Sequence, residues 1–300
     1  MIEGQEGVSW ADWVALAETC EAAGLDGLYR SDHYLSFTHP DERSGLDAWA
    51  SISALAAVTD TLRLGTLVSP VGFRPPGVLA KLVASASEIA GGRVELGLGA
   101  GWFEDEFRAL GLPFPTLRKR YAALKEALVL LESLWPRLMP EPPVVILGGD
   151  AGPSGAALAA RFADEYNVLE VTPEQVTVRR RALAEACCRH GRDPKTLGLS
   201  LLINVVVGRD EAEVRERVGR AGELTADPRD TDELLAARGE DVLTGTPDQV
   251  CERLREFGRR GVRRVMLQHV DHADLDMVRL IGEEIAPELR ALEPSEPGVA

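Results

Sequence analysis

The chain is predicted to be a (β/α)8 barrel of the TIM type with an apparently truncated first strand, and three observations point there. Short β-rich apolar runs alternate with long amphipathic segments from end to end, which implies a parallel sheet. Runs such as Leu201–Val207 are apolar without a polar face, as in sheets covered on both sides. Seven such runs plus a remnant at Met1–Glu3 make eight strands, and 300 residues suit a fold whose usual length is about 250.

Taken in order, Met1–Glu3 is shorter than an ordinary strand of about five residues, as if the natural chain began several residues earlier. Ser9 is placed to cap a first helix whose apolar face is Trp13, Leu16, Ala17 and Cys20, and Gly24 is placed to end it. Strands are expected at Asp26–Arg30 and Leu62–Val68, and Pro75 and Pro76 open the helix that follows the second. Val94–Leu98 is the next strand, followed by a helix carrying Leu124, Ala127, Leu128 and Leu131 on one face. Val144–Leu147, Glu165–Leu169, Leu199–Val207 and Arg264–Gln268 complete the strands, with a helix starting near Pro153. The charged stretch Glu223–Glu240 reads as a solvated excursion before the last strand. No Ser/Gly-rich linker divides the chain, so residues 1–290 are expected to form one domain and 291–300 a frayed tail.

Composition narrows the partners. A formal charge of -15 repels nucleic acid and acidic membranes, and no apolar run approaches the roughly 20 residues of a membrane helix, so small-molecule partners are favoured. The amino terminus carries no basic and apolar leader, which gives a cytoplasmic expectation. Cys20, Cys187, Cys188 and Cys251 fall in helical patterns with no CxxC pair, so they read as reduced, buried thiols, and no metal site is expected.

In this fold the loops after the strands carry the chemistry. Arg30-Ser31-Asp32-His33-Tyr34 follows Asp26–Arg30. His33 there can exchange a proton near neutral pH, with Asp32 capping the turn or biasing the ring. Among the five histidines only His269, after the last strand, competes for that role. Leu64–Pro70 runs off the next strand, with Gly65 and Pro70 bracketing a place of close backbone approach. Gly97-Leu98-Gly99-Ala100-Gly101-Trp102 joins a strand to a helix whose free N–H groups suit a phosphate or ring carbonyls. Its spacing is not GxGxxG and it follows an inner strand, which disfavours a dinucleotide fold. Gly148-Gly149-Asp150 repeats the strand-to-glycine pattern before another helix, and Asn167 is placed to bond a cofactor edge. HExxH, GxSxG and P-loop patterns are absent.

Together these runs resemble the bacterial luciferase-like family, particularly its F420-dependent branch. The resemblance lies in Arg30–His33, Leu62–Val68, Gly91–Trp102, Glu104–Arg108, Gly111–Pro115, Gly148-Gly149 and Ala163–Asn167, and it spans roughly Gly7 to Pro287. It implies the same barrel fold, with His33 facing substrate beside a deazaflavin and a non-prolyl cis peptide at Leu67–Val68 backing the cofactor's central ring. Gly99, Ala100, Gly101 and Trp102 would flank the cofactor, and Gly148 and Gly149 would form its phosphate turn. The implied activity is hydride transfer between coenzyme F420 and a small organic alcohol, carbonyl or activated alkene. The alternatives are an FMN-dependent monooxygenase and a non-catalytic flavin-binding protein. Dimerisation through barrel helices, frequent in the family, makes a homodimer an expectation. Trp102 stands where the sugar-phosphate dehydrogenase branch has a glutamate acid, and Glu170–Glu174 has no basic residue for a substrate phosphate. The passage from Trp135 to Val144 is short where relatives carry an excursion that helps to cover the pocket.

Overall fold

A computed structural model describes residues 1–291 except 238, 240 and 241. The tail expected to fray, 291–300, lies outside the described residues from 292 onwards.

The strands are β1 (Gly27–Arg30), β2 (Arg63–Thr66), β3 (Ser69–Pro70), β4 (Val94–Gly99), β5 (Val144–Gly148), β6 (Glu165–Leu169), β7 (Gly198–Val207), β8 (Val242–Gly245) and β9 (Arg264–Gln268). All pair in parallel, β1 to β2 to β4 to β5 to β6 to β7 to β9, with β3 continuing the β2 edge along β4. The ring closes through two residues. Met1 donates to the Leu267 carbonyl at 2.8 Å and accepts from the His269 N–H at 3.0 Å. On the other side the Ile2 N–H donates to Tyr29 at 3.0 Å and the Ser31 N–H donates to Ile2 at 3.2 Å. The Met1–Glu3 remnant therefore occupies the first-strand place, bonded on both edges.

β8 is a strand that the charge-rich sequence around it concealed. It pairs with Asn204–Val207, the upper half of β7, while β9 pairs with Ser200–Asn204 below it, so β8 extends the sheet without belonging to the eight-part ring. The long β7 serves both.

Helix boundaries follow capping chemistry. Ser9 and Asp12 form a reciprocal capping box on Trp10–Ala22, and Gly24 follows it at φ +69°, a conformation that glycine adopts without a Cβ penalty. Pro76 is the first residue of Pro76–Ile89, and Thr172 with Gln175 boxes Pro173–Arg189. No helix among the described residues is long and apolar enough to cross a membrane.

Two cores result. The larger lies between strands and helices and includes Trp13, Leu16, Leu64, Leu96, Leu128 and Phe257. The smaller joins Tyr29, Leu67, Ile146, Leu202 and Met266, contributed from around the ring, and so fills the barrel's interior. Beneath it, at the amino ends of the strands, the Tyr29 hydroxyl donates to Glu95 at 2.7 Å, and Arg264 pairs with Glu95 and Glu165, each at 2.8 Å. This polar floor seals one end and leaves the carboxyl ends as the open face.

Three expectations need correction. Cys188 is exposed, because it lies on the solvent side of Pro173–Arg189 next to the buried Cys187. The residues after Leu138 enter β5 at its amino end, opposite the mouth, so the short Trp135–Val144 passage does not bear on pocket cover. Part of Glu223–Glu240 is ordered packing: Leu234, on the helix Thr231–Ala237, is buried against Val206, Val214 and Val218.

Candidate active site

β1 ends at Arg30, and the chain then turns through Ser31-Asp32-His33-Tyr34 across the open face. The His33 ring is held from two directions. Its Nδ1 lies 2.8 Å from Oε2 of Glu106, a carboxylate with no exposed side-chain surface. The rings of Phe37, Trp102 and Phe103 surround it at centroid distances of 4.8, 5.7 and 6.3 Å, all edge-on. Among the described residues Nε2 has no hydrogen-bond partner, and it keeps contact with solvent. A nitrogen free on one side and pinned on the other is placed to exchange a proton with a ligand.

Glu106 does more than meet the ring. Its Oε1 accepts from the Tyr34 N–H at 2.5 Å and the Leu35 N–H at 3.1 Å, tying the loop after β1 to the helix Glu104–Ala109 after β4. Sequence reasoning missed this residue. Glu106 sits among Glu104 and Asp105 in an acidic first turn that reads as solvated, and the one hint is that the apolar Phe107 beside it marks the buried side.

Asp32 was expected to cap the turn or bias the ring, and the structure corrects the second role. Its carboxylate receives Arg74 Nη1 at 2.6 Å, Arg74 Nη2 at 3.1 Å and the Ser69 hydroxyl at 2.5 Å. Arg74 also reaches Asp47 at 2.6 Å and the Tyr34 hydroxyl at 2.7 Å. Burial opposes the Arg74 charge, but Asp32 and Asp47 beside it outweigh that and raise its pKa above the ordinary value. Asp32 is thus the fastener between the His33 loop and the segment that follows β2, and Glu106 is the carboxylate on the ring.

That segment contains a cis peptide bond between Leu67 and Val68. Val68 projects over glycines of two neighbouring strands. A Cβ on Gly99 would lie 2.6 Å from Val68 Cγ2, one on Gly97 3.0 Å from Cγ1, and one on Gly148 3.5 Å from Cγ1. Gly97 would also meet the Thr66 carbonyl. The glycines of β4 and β5 therefore give Val68 its room, so that the half-buried Val68 and the bulge it stands on form the surface there. A flat tricyclic ring can lie against such a bulge, so these residues fit the cofactor expected there. Ala100 and Gly101 follow at the rim, and Trp102 is 64% exposed, stacked on Phe103 at 5.3 Å and 24°.

The Gly148-Gly149 turn is held from below. The Gly149 N–H donates to the Asn167 carbonyl at 3.1 Å, and the buried Tyr166 hydroxyl accepts the Ala151 N–H at 2.9 Å. Burial pushes the Tyr166 phenol up to about 12, so it stays a neutral partner. The helix Pro153–Phe162 that follows has no side-chain cap at its amino end, which leaves N–H groups available to an anion. Arg179 lies against this turn, bonded to the Asp150 carbonyl and 3.3 Å from its carboxylate. The Asn167 side chain is buried and its amide donates to Ser200 Oγ at 2.8 Å across β6 and β7, so that N–H group is engaged within the barrel.

His269, the competing histidine, is buried. Its Nε2 lies 3.1 Å from the Asp274 carbonyl, Nδ1 has no partner among the described residues, and burial pushes its pKa down to about 4. No cluster of three or more metal-ligating side chains occurs among the described residues.

Comparison with known proteins places this geometry in context. Residues 2–264 match the family model described as luciferase-like monooxygenase. An F420-dependent glucose-6-phosphate dehydrogenase of Beutenbergia cavernae is 28% identical over 318 residues, covering 94% of each chain. An F420-dependent hydroxymycolic acid dehydrogenase of Mycobacterium tuberculosis is 30% identical over 223 residues, covering 67% of this chain and 61% of that protein. Among solved structures, an F420-dependent secondary alcohol dehydrogenase in complex with an F420-acetone adduct superposes with a TM-score of 0.79 at 20% identity, over 94% of this chain and 95% of the other. A type II Baeyer-Villiger monooxygenase of Pseudomonas putida in complex with FMN superposes at 0.73 with 17% identity, over 93% and 92%.

Proposed function

The chain belongs to the luciferase-like monooxygenase family, and from that premise we propose that it is an oxidoreductase moving a hydride between coenzyme F420 and a small organic substrate at the open face of the barrel. The observation that carries the reading is His33: a ring pinned at Nδ1 by a buried carboxylate, with Nε2 open to solvent. The named relatives that cover most of the chain are F420-dependent dehydrogenases, which favours the deazaflavin. An FMN monooxygenase is the second reading, supported by the fold likeness to FMN-bound and other monooxygenases.

A cofactor bound against the Val68 bulge would supply the hydride chemistry. Val68, seated on Gly97, Gly99 and Gly148, would hold the ring, and the amino end of Pro153–Phe162 with Arg179 would hold its phosphate. His33 Nε2 takes the hydroxyl proton when an alcohol is oxidised and returns it when a carbonyl is reduced. Phe37, Trp102 and Phe103 exclude water from one side of the ring. The aromatic rim, together with the lack of a basic residue in Glu170–Glu174, favours an uncharged alcohol or carbonyl over a sugar phosphate.

Turnover of F420 with a panel of secondary alcohols tests this. A His33→Ala variant is expected to bind F420 as the parent does and to lose about 100-fold or more in kcat, the usual share of a general acid or base. Unchanged kcat would remove His33 from the reaction, and loss of F420 binding would move it to the cofactor site.

A further inference from the structure

The His33 ring can carry its single neutral-state proton on either nitrogen, and only a bare Nε2 can accept a proton from a ligand. Glu106 decides between them by hydrogen-bond arithmetic. Its Oε1 already accepts two backbone N–H groups, from Tyr34 and Leu35. Its Oε2 faces Nδ1 at 2.8 Å, and a carboxylate offers acceptors alone, so the proton sits on Nδ1. The helix Glu104–Ala109 and the loop after β1 are thereby joined through one carboxylate that no solvent reaches.

We infer that Glu106 is a positioning residue that fixes the Nδ1–H tautomer of His33 and so keeps Nε2 available as the proton acceptor. The inference rests on the reading of His33 as the site's acid and base. In the oxidative direction the substrate's C–H bond breaks with both electrons leaving as hydride to oxidised F420, its O–H bond breaks with the proton passing to Nε2, and the carbon–oxygen double bond forms. In that state His33 is an imidazolium and Glu106 balances its charge across Nδ1. Asp32 cannot do this, because Arg74 and Ser69 occupy its oxygens.

The isosteric variant Glu106→Gln is the discriminating change. The Tyr34 and Leu35 N–H groups still require an acceptor, so the amide oxygen takes the place of Oε1 and the amide NH2 faces Nδ1. That donor forces Nδ1 to accept, and the ring proton moves to Nε2.

The measurement is long-range 1H–15N correlation on the full chain labelled at histidine nitrogen, without cofactor, near neutral pH, with His33 assigned by its loss in His33→Ala. The expected result is a neutral ring protonated at Nδ1 in the parent and at Nε2 in Glu106→Gln. A parent ring protonated at Nε2 or at both nitrogens, or a tautomer unchanged by a folded Glu106→Gln, would overturn the inference. The parent spectrum alone decides the first two outcomes even where the variant fails to fold. In turnover, Glu106→Gln is expected to lower kcat about 100-fold or more with KM within a few-fold, and Glu106→Asp to recover part of the loss. A reversed tautomer with unchanged kcat would support the positioning role and overturn His33 as the acid and base, so the two failures are distinguishable.

Discussion

At the scale of single residues, the open face is organised by carboxylates that each take a distinct set of donors. Asp32 serves Arg74 and Ser69, whereas Glu106 serves His33 and two backbone amides. The division between His33 and His269 is equally physical. His269 has a folded-state pKa of about 4 against an ordinary value of 6.5, so between those limits the unfolded chain takes up a proton that the folded chain refuses. Its contribution to stability is therefore full above about pH 6.5 and lost as the pH falls towards 4. Denaturant melts at pH 7 and pH 5 are expected to differ by roughly 2 kcal/mol from this residue, and His269→Gln is expected to flatten the difference. Equal slopes in parent and variant would show that His269 is not the group that resists protonation. His33, Asp32 and the glycine turns were legible in the sequence because strand ends are where this fold puts its chemistry. Glu106, Arg74 and Arg179 were not, since a charged side chain on a helix or loop looks solvated until the chain brings its partner from 27 to 73 positions away.

At the scale of elements, the glycines of β4 and β5 and the bulge after β2 form one unit. Gly99→Ala places a methyl 2.6 Å from Val68 Cγ2, a distance that forces movement, and overpacking of this kind costs roughly 1 to 3 kcal/mol. We predict about a tenfold loss of F420 affinity in Gly99→Ala, restored largely when Val68→Ala is added. Purely additive effects in that double-mutant cycle would contradict the contact. Strands with clean apolar runs were readable one by one, and their observed limits agree with the expected ones to within about two residues. Val242–Gly245 was not readable, because four residues with a threonine and a glycine carry no pattern, and their strand state comes from the unpaired upper half of β7. The two-residue closure by Met1 and Ile2 likewise depends on edges left open by β1 and β9 rather than on local propensity.

At the scale of the whole molecule, a charge of -15 meets a cofactor whose own groups are anionic, so binding must rely on local fields. The uncapped amino end of Pro153–Phe162 and Arg179 supply one beside the Gly148-Gly149 turn. Arg179→Ala is expected to weaken F420 binding by roughly three- to tenfold and to reduce its salt dependence, readable by titration at low and moderate ionic strength. The barrel architecture was legible from alternation and strand number, while the choice of deazaflavin over flavin came from resemblance and relatives, because both rings suit one bulge at Val68. Direct comparison of F420 and FMN binding to the purified chain, by fluorescence or absorbance titration at low salt, therefore bears most directly on the central claim. F420 is expected to bind at least about tenfold more tightly, a difference of about 1.4 kcal/mol. FMN binding more tightly, or neither cofactor binding, would contradict it.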